Sequence, residues 1–490
     1  MTSRSDFALG PGGDGPTVLL IGCVPHLAAF GLRPLLARLL GRPTTPASGA
    51  ALDFVAIVFP ACAACLCEPR RERIAALSAA LAALVPAEAI LRRTLGPTAS
   101  PSAHEAETPP LDSRGRHRAL AHLRAATLLG MAFCILAVDF PVFPRAHAKT
   151  ALFGRSLMDL GAGAIVQLGA FTRRLPRARP DGGDDYGGGS SGGGGSTQRA
   201  AARALARHAP LVLAGLGRVL AVRAVAYHQV HSEYGAHWNL FLTLAVVSAV
   251  APLVERRRAL AGSIGRRAAC ACALVAAHQL ALTRGGLSEP IRTGAPRRGL
   301  VAANREGLSS LPGYLALSLA SASAADGIYH ATTRPRARPG APWPALAVVT
   351  AAALAVWAAA DALDWAVEPT SRCLCNAAYV AWSLASVVLL FALCHLGPPT
   401  LAGAAAAAEA ADARPLPLLG AVDRHPLAFF LAANVLTGAV NLSIDTRSVG
   451  APAAVALLSG YMAALCGGAV AADRWLTRSA LRAAGPRASS

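Results

Sequence analysis

Asp139 and Lys149 are the residues best suited to chemistry, and ten positions separate them in a short proline-rich stretch. Lys149 is the only lysine among the 46 lysine and arginine residues of the chain. A surface lysine is readily replaced by arginine, so a retained lysine suggests a need for a compact ammonium that can lose its proton when desolvated. Asp139 closes a long apolar run, and Pro141 and Pro144 prevent the helix from continuing. The stretch predicts a carboxylate and an ammonium on a rigid turn at a membrane edge; chance survival of one surface lysine is the alternative.

A second polar group interrupts the apolar segment at residues 232–244. Glu233, His237 and Asn239 enter a predicted helix there, with Trp238 beside them. Ionisable groups inside a membrane span usually mark a functional site. The structural alternative is that Glu233 and His237 pair with each other and cap the helix.

Asp159 raises the same choice between function and structure. It follows Arg155 by four residues, a spacing that allows an ion pair on one helix face. The neighbouring Gly161 and Gly163 favour close helix packing. An intrahelical Arg155–Asp159 pair and a functional Asp159 are therefore both open.

Two more segments carry polar side chains at predicted helix ends or faces. Asn304, Arg305 and Glu306 precede an apolar run, where Glu306 is a candidate N-terminal cap. Asn434 and Asn441 are seven residues apart and so lie on one helical face. Hydrogen bonds between helices are the structural interpretation of that asparagine pair.

Composition indicates a membrane protein. Of the 490 residues, 54% are hydrophobic and 15% are charged, with a mean hydropathy of +0.44, whereas soluble domains average roughly 25% charged residues. The net charge of +19 comes from arginines between apolar runs, as the positive-inside rule and anionic lipids explain. No nucleic-acid partner is expected, and no HExxH, Walker or other metal or phosphate motif is present.

The apolar runs predict an all-α polytopic protein with about thirteen transmembrane helices, at roughly 20 residues per span. We expect one membrane domain over residues 1–490, interrupted by a flexible, cytosolic Gly/Ser-rich loop at 173–205. The predicted runs are 17–40, 51–67, 73–92, 119–139, 155–172, 209–227, 236–255, 266–283, 311–330, 343–365, 376–396, 426–445 and 452–473.

The arginine-rich loops predict an orientation with the N-terminus outside the cytosol and the C-terminus inside it. Arg70, Arg71 and Arg73 break this rule, as do Arg292, Arg297 and Arg298. In this orientation the loops at 139–149, 228–235 and 284–310 converge on the non-cytosolic side.

Six stretches, in order over about residues 119–446, together resemble the GPI-anchor inositol acyltransferases, the PIG-W group and its fungal anchored-wall-transfer relatives. The spacing from Asp139 to Lys149 is also that of the family. The stretches are LAVDFPVFPRAHAKT, SLMDLGAGA, SEYGAHWNLF, NREGLSSLPGYLA, SRCLCNAAYVAW and FFLAANVLTGAVNLSIDT.

The resemblance implies an endoplasmic reticulum membrane enzyme that transfers a fatty acyl group, usually palmitoyl, from acyl-CoA to the inositol 2-hydroxyl of glucosaminyl-phosphatidylinositol. Membrane lipids would surround it, acyl-CoA would be a co-substrate, and no permanently bound cofactor or metal is implied. The family's catalytic Asp and Lys correspond to Asp139 and Lys149. A multi-pass lipid transporter and a non-catalytic GPI-assembly membrane protein are the alternatives.

The resulting mechanistic hypothesis makes Asp139 the base for the inositol hydroxyl. Lys149 would stabilise the thioester oxyanion or hold Asp139, and His237 is the rival base. The remaining polar residues are expected to bind substrate; they are Arg145, Asp159, Glu233, His237, Trp238, Asn239, Asn304, Arg305, Glu306, Asn434 and Asn441.

Overall fold

Apolar helices make up nearly all of the computed structural model in the residues that it describes. Those residues are 9–41, 43, 45–68, 70–95, 111–175, 208–220, 233–257, 259–260, 262–333, 343–402 and 416–483. Two strands of two residues, β1 (Leu9–Gly10) and β2 (Lys149–Thr150), are present in these ranges.

Each of the thirteen predicted apolar runs contains a helix, although the run at 209–227 is described only as far as Leu220. In the first half these helices are α1 (Gly15–Leu27), α2 (Arg33–Leu39), α3 (Pro46–Asp53), α4 (Phe59–Leu66), α5 (Arg71–Leu95), α6 (Leu111–Ala137), α7 (Leu157–Arg174) and α8 (His208–Leu220). Two π-helical turns, Ala28–Leu32 and Phe54–Val58, join α1 to α2 and α3 to α4.

The second half has the same character, with short helices before the long ones. It comprises α9 (Leu240–Glu255), α10 (Ile264–Thr283), α11 (Glu289–Arg292), α12 (Gly299–Ala303), α13 (Arg305–Ser309), α14 (Leu311–Thr333), α15 (Trp343–Ala366), α16 (Ala377–Ala402), α17 (Pro417–Arg424), α18 (Pro426–Ser443) and α19 (Ala451–Ala483).

Seven helical segments of the described chain are long and apolar enough to cross a bilayer. They are Gly15–Leu39, Pro46–Leu66, Ala119–Ala137, Pro344–Ala366, Ala377–His395, Pro426–Ser443 and Ala451–Ser479. The other predicted runs form shorter or less apolar helices. These observations confirm an all-α, multi-pass membrane protein.

The ends of two predicted elements are also clear. Helix α6 ends at Ala137, before Pro141 and Pro144, as the proline spacing predicted. Helix α7 continues through Arg174, so the first two residues of the loop expected at 173–205 are helical. Positions 176–207 lie outside the described residues.

The chain divides into two compact units. The first contains Met1–Gly15 and Arg145–Ala392, and the second contains Pro16–Pro144 and Leu393–Ser490. In the first unit α14 packs against α7, α9, α10 and α15. Small buried residues on α14, among them Ser318, Ser321 and Ala322, permit this close approach.

In the second unit α17 packs against α3, α6 and α19. The fully buried carboxylate of Asp53 accepts hydrogen bonds from Arg33 Nε and the backbone N–H of Leu418, both at 3.1 Å. Tyr461 Oη donates to the Ala132 carbonyl at 3.0 Å and so joins α19 to α6. These bonds satisfy polar groups that would otherwise be unpaired in an apolar interior.

Gly313 and Gly327 provide a matched test of the packing of α14. A Cβ at Gly313 would lie 2.1 Å from the Cys375 carbonyl oxygen, whereas one at Gly327 would meet nothing within 4 Å. We expect Gly313→Ala to lower the melting temperature of the purified protein, because overpacking costs about 1–3 kcal/mol. Gly327→Ala should equal or exceed wild type, since alanine favours a helix by about 1 kcal/mol. Equal melting of the two variants would contradict this packing.

Candidate functional site

Lys149 lies on a two-stranded parallel ladder in the first unit. Strand β2 pairs with β1, and Leu9 is opposite Lys149. Gly10 permits the approach, because a Cβ there would lie 1.8 Å from the carbonyl oxygen of Arg145. The sequence analysis did not anticipate that the N-terminus supports Lys149. The only signal is the glycine-rich run LGPGGDG at residues 9–15.

Glu233 is the counterion of Lys149. Lys149 Nζ donates to both carboxylate oxygens of Glu233 at 2.9 Å. The Lys149 side chain is 31% exposed and that of Glu233 is 17% exposed. Burial raises the pKa of Glu233, but the positive charges of Lys149 and Arg372 outweigh it and hold the pKa below its usual value. Glu233 is therefore ionised at neutral pH, and the ammonium is held at a partly open position.

Asp159 fixes the strand on which Lys149 lies. Its buried carboxylate accepts from Thr150 Oγ1 at 2.9 Å, the Thr150 backbone N–H at 3.2 Å, Ser156 Oγ at 2.8 Å and Arg372 Nε at 2.8 Å. Ser156 also caps α7 by accepting from the Asp159 N–H. Protein groups thus enclose Asp159, which suits it to positioning Lys149 rather than to contacting substrate.

The intrahelical pair considered for Arg155 and Asp159 is wrong. Arg155 instead pairs with Asp361 and, at 3.5 Å, with Asp364, and its Nε donates to Thr370 Oγ1 at 3.0 Å. The i,i+4 spacing was misleading because Arg155 precedes the cap of α7 at Ser156 and so lies outside the helix.

Arg372 is a central residue that the sequence analysis did not select. It is fully buried, pairs with Asp159, and places its guanidinium 5.4 Å from the ring centre of Tyr234. Burial raises the pKa of Tyr234 to about 12, so the phenol is neutral beside this cation. The available signal was the family stretch SRCLCNAAYVAW, in which Arg372 is the one charged residue.

The segments at 233–239 and 303–307 are joined by backbone hydrogen bonds. Ala236 N–H donates to the Ala303 carbonyl at 2.8 Å, and Gly307 N–H donates to the Tyr234 carbonyl at 2.9 Å. The backbone N–H of His237 donates to Asn304 Oδ1 at 2.8 Å. Because Glu233 also binds Lys149, three predicted polar segments meet within this unit; the side of the membrane on which they lie stays a prediction.

The helix cap by Glu233 and His237, considered as the structural alternative, is wrong. Buried Asn239 caps α9, and its Oδ1 accepts from the N–H groups of Phe241 and Leu242 at 3.1 and 3.4 Å. Trp238 Nε1 donates to Thr243 Oγ1 at 2.9 Å.

Glu306 is likewise not the cap of α14. It belongs to α13, where its buried carboxylate binds Arg297 at 2.6 and 2.8 Å and Arg305 at 3.4 Å. Arg305 also donates to the Ala295 carbonyl at 2.6 Å. An ion-pair network is therefore present in place of the candidate cap.

Asp139 belongs to the second unit and is half-buried just beyond α6. Asn441 Nδ2 on α18 donates to Asp139 Oδ2 at 2.7 Å. This is the bond between elements that the asparagine spacing suggested. Asn434 differs, because its Nδ2 donates at 2.7 Å to the Phe430 carbonyl of its own helix.

The chain is similar to proteins of known name. A family model described as GWT1 matches residues 8–472. The chain is 31% identical over 381 residues to the Bos taurus glucosaminyl-phosphatidylinositol-acyltransferase PIGW, covering 71% of this chain and 72% of that protein. It is 33% identical over 376 residues to GPI-anchored wall transfer protein 1 of Aspergillus fumigatus, covering 72% of each. Identity to PIGW of Homo sapiens is 29% over 380 residues, covering 71% and 72%.

The pH dependence of stability tests the Lys149–Glu233 pair. A lowered pKa means that the ionised carboxylate stabilises the folded state; this stabilisation is complete above the unfolded pKa and is lost as pH falls through the folded pKa. We expect Glu233→Gln to lower the melting temperature at neutral and mildly acidic pH. The difference from wild type should vanish only below the ordinary glutamate pKa of about 4.3.

Glu289→Gln is the control, because Glu289 is an exposed carboxylate of the same unit. It should not reproduce the effect. A difference between wild type and Glu233→Gln that disappears near neutral pH would assign the titration to another group.

Proposed function

The chain belongs to the GWT1 family, and we propose that it is a glucosaminyl-phosphatidylinositol inositol acyltransferase. The reaction would transfer a fatty acyl group, such as palmitoyl, from acyl-CoA to the inositol 2-hydroxyl during GPI-anchor biosynthesis. The supporting relatives are named for this acyltransferase and for GPI-anchored wall transfer.

The observation that carries the proposal is the placement of Lys149. The only lysine of the chain is partly exposed, held by both oxygens of Glu233, and mounted on a strand that Asp159 anchors. A structural ion pair alone would not require lysine, because arginine pairs with carboxylates at least as well. A compact ammonium at a fixed, open position suits stabilisation of a developing oxyanion.

The proposed step forms one ester and breaks one thioester. The inositol 2-hydroxyl oxygen attacks the thioester carbonyl carbon, and negative charge develops on the carbonyl oxygen, where Lys149 would stabilise it. The carbon–sulfur bond then breaks and CoA leaves as a thiolate. The hydroxyl proton passes to a base and then to that thiolate, which yields CoA thiol and the acylated inositol.

Asp139 is our proposed base for the hydroxyl, and Asn441 supports this role. The amide of Asn441 donates to Oδ2 of Asp139, which orients the carboxylate. Proton transfer by a positioned side chain contributes about 100-fold or more. His237 remains the rival base, with its backbone fixed through Asn304.

The predicted substrate-binding residues fall into two groups, which differ in how accessible their side chains are. Arg145, His237 and Trp238 are only partly buried and remain our proposed substrate contacts. Four of the others are enclosed by hydrogen bonds and would instead position the site; they are Asp159, Asn239, Asn304 and Glu306. Glu233 would act by orienting Lys149.

We further propose the endoplasmic reticulum membrane as the location, with a lumenal N-terminus and a cytosolic C-terminus. The loop arginines support this orientation through the positive-inside rule. The convergence of Lys149, Glu233 and Asn304 in one unit would then place the chemistry on the lumenal side.

An assay in microsomes from cells lacking their own inositol acyltransferase tests the function. With glucosaminyl-phosphatidylinositol and labelled palmitoyl-CoA, wild type should acylate inositol. Lys149→Arg and Asp139→Asn should each lower the rate by about 100-fold or more. The exposed Asp445→Asn is the matched control and should retain wild-type activity. A correctly inserted wild-type protein that transfers nothing would refute the proposal.

The two asparagines of α18 test whether Asp139 must be oriented. Asn441→Ala should lower kcat with little change in KM, because it removes the bond to Asp139 rather than a substrate contact. Asn434→Ala is the control on the same helical face, because the Asn434 amide is bonded to the Phe430 carbonyl of its own helix and we no longer assign it a substrate contact. Equal activity of the two variants would show that Asn441 does not act through Asp139.

A further inference from the structure

The segment at residues 284–303, which we name the basic loop, contains four arginines, three of which are exceptions to the predicted membrane orientation. Arg292, Arg297 and Arg298 lie on the side that the positive-inside rule leaves poor in charge. The loop folds into short helices α11 and α12 between the longer α10 and the site residue Asn304. Charge in an unexpected place suggests that it has a specific partner.

The basic loop also exposes large apolar side chains. Leu300 and Val301 are 75% and 73% exposed, and Leu287 is exposed as well. Adjacent apolar residues and arginines are typical of a segment at the membrane interface, where the apolar groups meet acyl chains and the cations meet headgroups.

Trp365 independently marks the interface at this end of the unit. It is 90% exposed at the end of α15, and tryptophans are enriched at the level of the headgroups. The loop that follows it is bonded to the C-terminal end of α10, because Gln279 Nε2 donates to Glu368 at 3.0 Å and His278 Nε2 lies 3.0 Å from the Leu374 carbonyl oxygen. The basic loop begins at that same end of α10.

Two contacts attach the basic loop to the Lys149 site. The Arg292 guanidinium lies 5.9 Å from the ring centre of Phe153, four residues after Lys149. Arg297 binds Glu306, which neighbours Asn304 and its bond to His237. The loop thus lies beside the residues that surround the proposed reacting group.

Arg292 and Arg298 retain positive charge for a ligand. Glu306 neutralises Arg297, and Arg305 is engaged by Glu306 and the Ala295 carbonyl. Arg292 and Arg298 are exposed, and neither has an ion pair among the residues that the structure describes. Guanidinium groups suit phosphate oxygens because of their planar, multiple donors.

We propose that Arg292 and Arg298 bind the phosphodiester of the inositol phospholipid substrate and thereby set the depth at which its inositol meets Lys149. This inference rests on the proposed function. Leu300 and Val301 would hold the basic loop against the acyl chains of the bilayer. The arginines bind substrate and do not take part in the chemical step.

Steady-state kinetics in nanodiscs provide the first test. Arg292→Gln combined with Arg298→Gln should raise the KM for glucosaminyl-phosphatidylinositol about tenfold and leave kcat and the KM for palmitoyl-CoA near wild type. Arg266→Gln is the control, because Arg266 is an exposed arginine at the other end of α10, roughly 30 Å away along the helix. A KM change shared with Arg266→Gln, or a fall in kcat alone, would overturn the proposal.

Direct binding separates this inference from the acyltransferase assignment. Dioctanoyl phosphatidylinositol should bind the wild-type protein in nanodiscs about ten times more tightly than the double variant, as measured by calorimetry. This result is expected whether or not the preparation transfers acyl groups. Unchanged affinity in an active enzyme would refute the inference and leave the function intact. Displacement of the lipid by inorganic phosphate would instead indicate a free-phosphate site and would also refute it.

Discussion

The buried ion pair between Asp159 and Arg372 is the interaction on which the first unit's site depends. Removing two charges from water is expensive, and the attraction between them compensates only when the remaining polar atoms are also bonded. Here Thr150 and Ser156 complete the shell of the carboxylate, while Tyr234 covers the guanidinium. One pair therefore fixes the start of α7, the Lys149 strand and the segment that carries Glu233.

In this arrangement, the residues that hold the site rigid are different from the residues that a substrate can reach. Asp159 and Arg372 are enclosed, whereas Lys149 and Glu233 remain partly open. A partly open ammonium can approach a substrate without losing its orientation, because the constraints on it come from the buried side of the strand. In the second unit, the side-chain amide of Asn441 orients Asp139 in a similar way, by donating a hydrogen bond to one of its carboxylate oxygens.

Local patterns predicted the helices well because membrane spans are defined by long apolar runs, and all thirteen runs contain a helix in the described chain.

The side-chain partners were harder to predict. Arg155 and Asp159 have helical spacing but bond to different elements, and Glu306 binds two arginines instead of capping α14. Arg372 was missed because its partners Asp159 and Tyr234 are more than 130 positions away in the sequence. The spacing of neighbouring residues does not indicate such distant contacts. The sequence analysis expected the polar loops to converge, and the bonds from Lys149 to Glu233 and from His237 to Asn304 join three of their segments. The membrane orientation from which that expectation came stays a prediction.

The sequence distance between the members of the Asp159–Arg372 pair has a consequence for biosynthesis. The two residues are 213 positions apart, so α7 and Asp159 leave the ribosome long before Arg372 exists. Until then a carboxylate that belongs in the protein interior lacks its cation, and it must keep its water of hydration because burying an unpaired charge is expensive. Completion of the site is therefore a late event of synthesis, and an unpaired Asp159 distinguishes an unfinished chain from a mature one.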